Sequence, residues 1–456
     1  MSLSVPVSRK TNWSATRLPW AFAFVLAGGA ILAPALWNGF PLVFADTGGY
    51  LARPFEQTLL IGRSVLYGLV LTAALPWDFW PSIVLQAAAA AWVILLVLRL
   101  HGLARRPGLA AALSVALAAF TGLPWNASML MPDIFAPLTV LGLHLLAFRH
   151  ADLTRSQAAG LALLVAFGSA THMGTLALGF ALFGVYAALR MRAPRLTLPR
   201  PRLAPAFLSL FTGVALALGS NVVVTGKAAF TPGGIHFLFG RLLQDGIVAR
   251  HLAERCPDTS LRLCAYRDAL PRRADDWLWG WESPLYKLGG PEGFAPEARA
   301  IVWATLSRYP LEQVTSAFGA TAQQLVRVRT GEGVNPHDTE HAVRALLRYA
   351  PAAMPRFAAA RQQHDAFDFT LLNRLQVPLA LASLLLLPVI ALARRRLRIP
   401  SADAALAVSA LAGLILNAAI CGVFSNPNDR YQSRIAWLAP LALAVAGLSR
   451  RVGPDG

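Results

Sequence analysis

The chain has 456 residues, of which 56% are hydrophobic and only 14% charged, with a mean hydropathy of +0.51. A soluble protein of this length cannot hide so much apolar surface and a bilayer can, which excludes disorder, a coiled coil and a cytosolic enzyme. The formal charge of +18 invites a nucleic-acid reading, but the cations cluster at the ends of apolar runs, where they set membrane orientation instead.

The pattern predicts an all-α polytopic membrane protein with about ten transmembrane helices, each drawn from roughly 17 to 25 mostly apolar residues. The first span covers 20–40, behind the basic start Arg9, Lys10 and Arg17. That start, the apolar core and Ala33-Pro34-Ala35 also fit a cleavable signal segment, after which the chain would still lie outside. An exterior loop, 41–80, follows; within it 62–76 is apolar but short, and reads as an interfacial helix anchored by Trp77 and Trp80. Further spans are expected at 81–100, 107–123, 133–149, 156–171, 174–190 and 204–225, completing an N-terminal bundle over 1–225. A C-terminal bundle, 375–456, supplies spans at 375–393, 402–423 and 435–449. Basic residues crowd one set of connections, among them Arg105, Arg106, Arg192, Arg195 and Arg394 to Arg396, whereas the alternate short connections hold Arg53, Arg63, Arg430 and Arg434. The crowded side is cytoplasmic by the positive-inside rule, which places both termini there and suits a bacterial inner membrane.

Between the bundles, 226–374 has a different composition, rich in acidic residues, Trp, Pro and Gly, and is expected to be a mostly helical periplasmic insert. Apolar spacing predicts helices over 298–328 and 338–362. Cys256 and Cys264 lie in this insert, spaced C-x7-C, and in an oxidising compartment they read as a disulfide; Cys421 falls inside a span.

The remaining polar residues gather on the exterior turns. Asp46 follows the run Pro41 to Ala45 and precedes Gly48-Gly49; near the headgroups a carboxylate needs a partner, which suits a general base or an acceptor-orienting group, or else a turn or helix cap. Tyr50 and Arg53 follow in the same loop. Asp133 opens a span and is either a second candidate catalytic carboxylate or a helix N-terminal anchor. His172 stands at the tip of the third exterior turn, as a substrate contact or a hydrogen-bonded turn residue. Arg430 and Arg434, four apart, present guanidinium forks suited to a phosphate, with Tyr431 between them; snorkelling or a carboxylate partner such as Asp429 is the plainer alternative. Arg241 is a further cation in the insert that suits an anionic substrate.

Asp46 in an "Asp-x-x-x-Tyr" setting after the first span, together with Asp429-Arg430-Tyr431 running into the Pro-containing helix Leu438-Ala439-Pro440-Leu441, resembles the integral-membrane glycosyltransferases of the GT-C class. The resemblance implies a polyprenyl-phosphate sugar as donor, transfer to a glycan, lipid or protein acceptor on the exterior face, and Asp46 as base or acceptor-orienting acid, with inversion at the anomeric carbon. It covers the topology and two short motifs. Two departures stand out: Thr47 follows Asp46 where commoner members have a second acid, and the large loop is mid-chain rather than C-terminal. An O-antigen ligase or polymerase, a transporter or flippase, and a non-catalytic envelope-assembly protein are the rival readings.

Other motifs carry less. His337-Asp338-Thr339-Glu340-His341 has zinc-compatible spacing without the zincin Glu, so no metal ligands are assigned and a divalent cation stays without support. Trp277, Trp279 and Trp281 fit either sugar stacking or the insert's core. Thr231-Pro232-Gly233-Gly234 lacks the lysine of a phosphate loop.

Overall fold

The computed structural model describes residues 17–59, 61–196, 198–231, 233–256 and 261–449. The protein is an all-α, multi-pass membrane protein. Among the described residues, six helices are long and apolar enough to cross a bilayer: Leu18–Asn38, Trp80–Leu103, Met173–Arg192, Leu203–Thr225, Thr370–Ala393 and Ser401–Phe424. We number the helices used below α1 (Arg17–Asn38), α2 (Ala45–Glu56), α3 (Leu66–Ala74), α4 (Trp80–Leu98), α5 (Pro107–Phe120), α6 (Phe135–Phe148), α7 (Arg155–Thr171), α8 (Met173–Leu196) and α9 (Leu203–Thr225). Those after α9 are α10 (Gly234–Gln244), α11 (Gly290–Arg308), α12 (Pro310–Val326), α13 (Glu340–Tyr349), α14 (Thr370–Ala393), α15 (Ser401–Phe424), α16 (Asp429–Ala436) and α17 (Leu438–Ser449).

The other four expected spans are helical but shorter. Helices α5 and α6 have 14 residues each, α7 has 17 and α17 has 12. At 1.5 Å per residue, α6 is only about 21 Å long. Every residue from Phe135 to Ala147 is buried, so its neighbours in the bundle, rather than lipid, surround it. Sequence signals set the boundaries. Pro107 occupies the first turn of α5, where its missing N–H is no loss. Thr154 caps α7 in a reciprocal box with Gln157. Gly226, at φ +70°, ends α9 in the left-handed conformation that glycine adopts without strain. Nine residues of α3 and one further turn to Trp77 are too few to cross a bilayer, and Trp77 is exposed beside them.

Segment 226–374 divides between two hydrophobic cores. Residues from Phe239 to Tyr309, including Trp277, Phe294 and Val302, form a core of their own. The three tryptophans split accordingly: Trp277 is that core's largest buried side chain, whereas Trp279 and Trp281 are exposed. The expected helix over 298–328 breaks at Tyr309-Pro310, giving α11 and α12. After α12 the chain returns to the bundle. Val334, Ala342, Leu346, Phe357 and Ala360 join the main core, and α13 lies on α2. The loop after α1 is held from this side: the Gln362 amide donates to Val43 O (2.6 Å) and accepts from Val43 N–H (3.0 Å), while Gln362 N–H donates to Asn38 (2.8 Å). The expected disulfide is not formed: Cys256 and Cys264 lie within hydrogen-bonding reach of each other but are not joined.

Candidate active site

Several chain segments, far apart in sequence, meet around one charged cluster. Asp46 lies in the first turn of α2. Thr47 Oγ1 accepts from Phe44 N–H (3.0 Å) and donates to Leu130 O (3.1 Å), so Thr47 caps the helix. The Asp46 carboxylate is thereby left for guanidinium groups: Arg63 Nη2 at 2.6 Å and Arg430 Nη2 at 3.4 Å. Asp133, in the turn before α6, is 3% exposed. Its two oxygens receive Arg430 Nη1 (3.0 Å) and Arg434 Nη1 (2.5 Å). The result is a continuous chain, Arg63–Asp46–Arg430–Asp133–Arg434.

Each link has local support. Arg430 and Arg434 share one face of α16, as their spacing requires. Arg430 stacks over Phe44, 4.1 Å to the ring centroid, and beside Tyr431, and its backbone N–H donates to Glu332 (2.7 Å). Arg434 Nη2 reaches Asn417 Oδ1 at 3.0 Å and Cys421 Sγ at 3.4 Å, both on α15, while its buried Nε has no partner. Arg63 arrives through a backbone bridge to His172 and by the Ser64 hydroxyl donating to Ala170 O (2.5 Å). Tyr50 packs edge-on against Tyr67, lies 5.3 Å from the Arg63 guanidinium, and buries a hydroxyl without a partner. The loop carrying Glu332 depends on its two glycines. Gly331 (φ +111°) faces Phe369 and Gly333 (φ +75°) faces Phe44, and neither place has room for a Cβ.

Burial disfavours the Asp46 anion, but Arg63 and Arg430 outweigh it and hold its carboxyl below the ordinary value. Glu332 shifts the other way: burial raises it above the usual glutamate value despite Arg430 nearby. His172 is pushed down to about 3 by burial and by the Arg434 cation, so its imidazole is neutral, and its Nδ1 accepts from Gly174 N–H (3.0 Å). That geometry is the turn role foreseen for it, performed next to Arg63.

The structure thus brings Asp46, Tyr50, Asp133, His172, Arg430, Tyr431 and Arg434 to one place. It does not bring two others. Arg53 points along α2 to Glu56 (2.7 Å) and Thr58 (2.7 Å). Arg241 pairs with Asp245 (2.6 Å) at the foot of α10, beside Ser316. Three contributors were not singled out from sequence: Arg63, Glu332 and Asn417. Arg63 carried a signal, being a further cation of the loop that holds Asp46. Glu332 sits in a polar insert where one more acid carries no signal, and Asn417 sits in an apolar helix where a lone amide does.

Among the described residues no group of three or more His, Cys, Asp or Glu side chains is arranged to hold a metal ion, and His341 contacts Arg344. A groove of about 560 Å³ between α1 and α5 is apolar and does not include residues of the charged cluster. A second apolar fissure, about 160 Å³, lies between α5, α14 and α17. It shares Thr121 and Pro440 with a small recess that Ser433 of α16 also lines. Compared with known proteins, the chain matches no family model, no curated protein and no solved structure.

Proposed function

We propose that the chain is a membrane glycosyltransferase that moves a sugar from a polyprenyl-phosphate donor to a hydroxyl acceptor on the exterior face. The observation that carries this reading is the largely buried chain of two aspartates threaded through three arginines, built from the first exterior loop, the turn before α6 and the last exterior turn. Two carboxylates against three guanidiniums leave one positive charge in excess, which suits a phosphate. The fissure between α5, α14 and α17 offers the polyprenyl chain an apolar course toward Ser433, next to Arg430 and Arg434.

In this reading the acceptor oxygen bonds to the anomeric carbon as the carbon–oxygen bond to phosphate breaks. The electron pair leaves on the phosphate, where arginine charge stabilises it. The acceptor proton passes to Asp46, and attack from the face opposite the phosphate inverts the anomeric centre. Because its carboxyl is held below the ordinary value, Asp46 is ionised at neutral pH and orients the acceptor hydroxyl before taking its proton. Asp133 is almost wholly out of solvent and holds Arg430 and Arg434 in place. On the exterior side the adjacent Cys256 and Cys264 would close as a disulfide.

The test is transfer from a radiolabelled polyprenyl-phosphate sugar in membranes carrying Asp46→Asn. The amide is isosteric but cannot take the proton, so product should fall by at least ~10²-fold, with unchanged expression and detergent gel-filtration profile. Full activity in a folded Asp46→Asn protein would refute the assignment, and vesicle uptake without a covalent product would favour a transporter.

A further inference from the structure

Helix α12 belongs to the insert by sequence, yet it is packed against a membrane helix. Its inner face lies on α15, and the two backbones touch: a Cβ on Gly422 would meet Ala320 O at 2.7 Å. One turn further on, the Gln324 amide exchanges two hydrogen bonds with the backbone of Asn428, at 2.8 and 2.9 Å. Gly422 lies inside the apolar stretch Ser401–Phe424, so α12 runs beside a segment that crosses the bilayer.

The outward face of α12 is largely apolar, the one hydroxyl within it, Thr315, donating to its own helix backbone at Leu311 O and Glu312 O. Leu311, Val314 and Phe318 recur at helical spacing and are 79%, 51% and 73% exposed, with Ala322 and Val326 continuing the stripe. Glu312 and Gln323 lie together on one edge, and Glu312 is ion-paired to Arg250. The stripe continues surface that already belongs to the bilayer side of the bundle: Ile415 and Phe424 on α15, and Leu371, Leu375 and Leu379 on α14, are exposed as well. An exposed apolar face of this extent is unfavourable in water, and one polar edge beside a broad apolar face is the pattern of a helix lying in a membrane interface.

We propose that α12 is embedded in the leaflet on the Asp46 side, with Leu311, Val314 and Phe318 against phospholipid acyl chains and the Glu312–Gln323 edge toward the headgroups. The insert is then tethered to the bilayer at two depths, by its covalent ends and by this helix. The inference needs no glycosyl transfer, but it bears on the cluster. Directly after α12 the chain enters the loop in which Arg329 N–H donates to Asp429 (3.0 Å) and Glu332 accepts from Arg430 N–H (2.7 Å). Lipid therefore helps fix the height of the loop against which Arg430 is set.

Photocrosslinking in native membranes tests this on the full chain. p-Benzoylphenylalanine is introduced singly at Val314, at Phe318 and, as control, at Gln323, and adducts are identified by intact mass. Phospholipid adducts at Val314 and Phe318, at least several-fold above Gln323, are expected. Dimer formation through those positions would assign the face to a second copy and overturn the proposal. Equal yields at all three positions, no adduct, or polyprenyl adducts alone would overturn it too. All three sites are exposed, so the probe does not disturb packing; matching gel-filtration profiles verify this, and none of the readouts depends on catalysis.

Discussion

Asp46 and Glu332 are both held close to Arg430, yet their surroundings push them in opposite directions, which makes them separable by pH. Asp46 has an ordinary value of 3.8 and is held lower by Arg63 and Arg430. Its ion pair contributes stability above the unfolded carboxyl value, and that contribution is lost only as pH falls through the lower folded value. Glu332 is raised from 4.5 by burial, so its ionisation opposes folding and the cost grows as pH rises through the folded value. The acid limb of the transfer rate should therefore lie below pH 3.8 if Asp46 alone sets it. A limb above pH 4.5 that disappears in Glu332→Gln would assign it to Glu332 instead. At neutral pH Glu332→Gln, which keeps an oxygen for Arg430 N–H, should hold or raise the melting temperature. At this scale the charges conspicuous in otherwise apolar connections, Asp46, Asp133, Arg430 and Arg434, are ones that the structure brings into contact. Arg63 was not ranked with them, because the bridge that swings it to Asp46 pairs its backbone with His172, more than a hundred residues away.

Helix α2 shows how an element fixes a residue. It is short and half-polar, and its place is set by contact with α13: a Cβ at Gly48 would meet the Ala342 Cα at 2.7 Å. Gly48 sits two residues from Asp46, so Gly48→Ala must push the helices apart or tilt α2. We expect a loss of about 1–3 kcal/mol in stability from this overpacking and a larger fractional loss in transfer, measured by thermal unfolding and initial rates on the same preparation. Gly108→Ala is the control, since nothing lies within 4 Å of its added methyl group. Hydropathy marked the helices well, because a run of apolar residues needs no knowledge of its neighbours. It could not reveal that α6 is sheathed by protein, or that the insert returns to cover α2. Alanine and leucine fit lipid and a helix interface equally well, and only the packing partners distinguish the two.

Across the whole molecule, the charged cluster has a polar counterpart at the other end of the bundle. His101 Nδ1 lies 2.6 Å from Asp403, His101 Nε2 lies 3.4 Å from His144 Nε2, and His144 Nδ1 lies 2.9 Å from Ser409, which Tyr186 also reaches at 2.9 Å. Four membrane helices are fastened there by side chains that all lie out of solvent. His144→Ala would strand two of these partners, costing about 1–3 kcal/mol, while the Asp46 cluster at the far end keeps its geometry. The measurable signature is a lowered melting temperature with an unchanged Michaelis constant. This network was not singled out from sequence, because nothing along the chain relates 101 and 144 to 403.

The separation between Asp133 and Arg430 is 297 residues, and Asp133 and Arg434 stand 301 apart. During synthesis the N-terminal helices are therefore complete long before either guanidinium exists. In that interval Asp133 lacks both guanidiniums that pair with it, at the mouth of a helix destined to be enclosed on all sides, so it must stay wet or protonated until residues 430 and 434 have been made. The bundle consequently seals last around its charges, and a chain halted anywhere before residue 430 is left with an open, hydrated seam where the finished protein has its cluster.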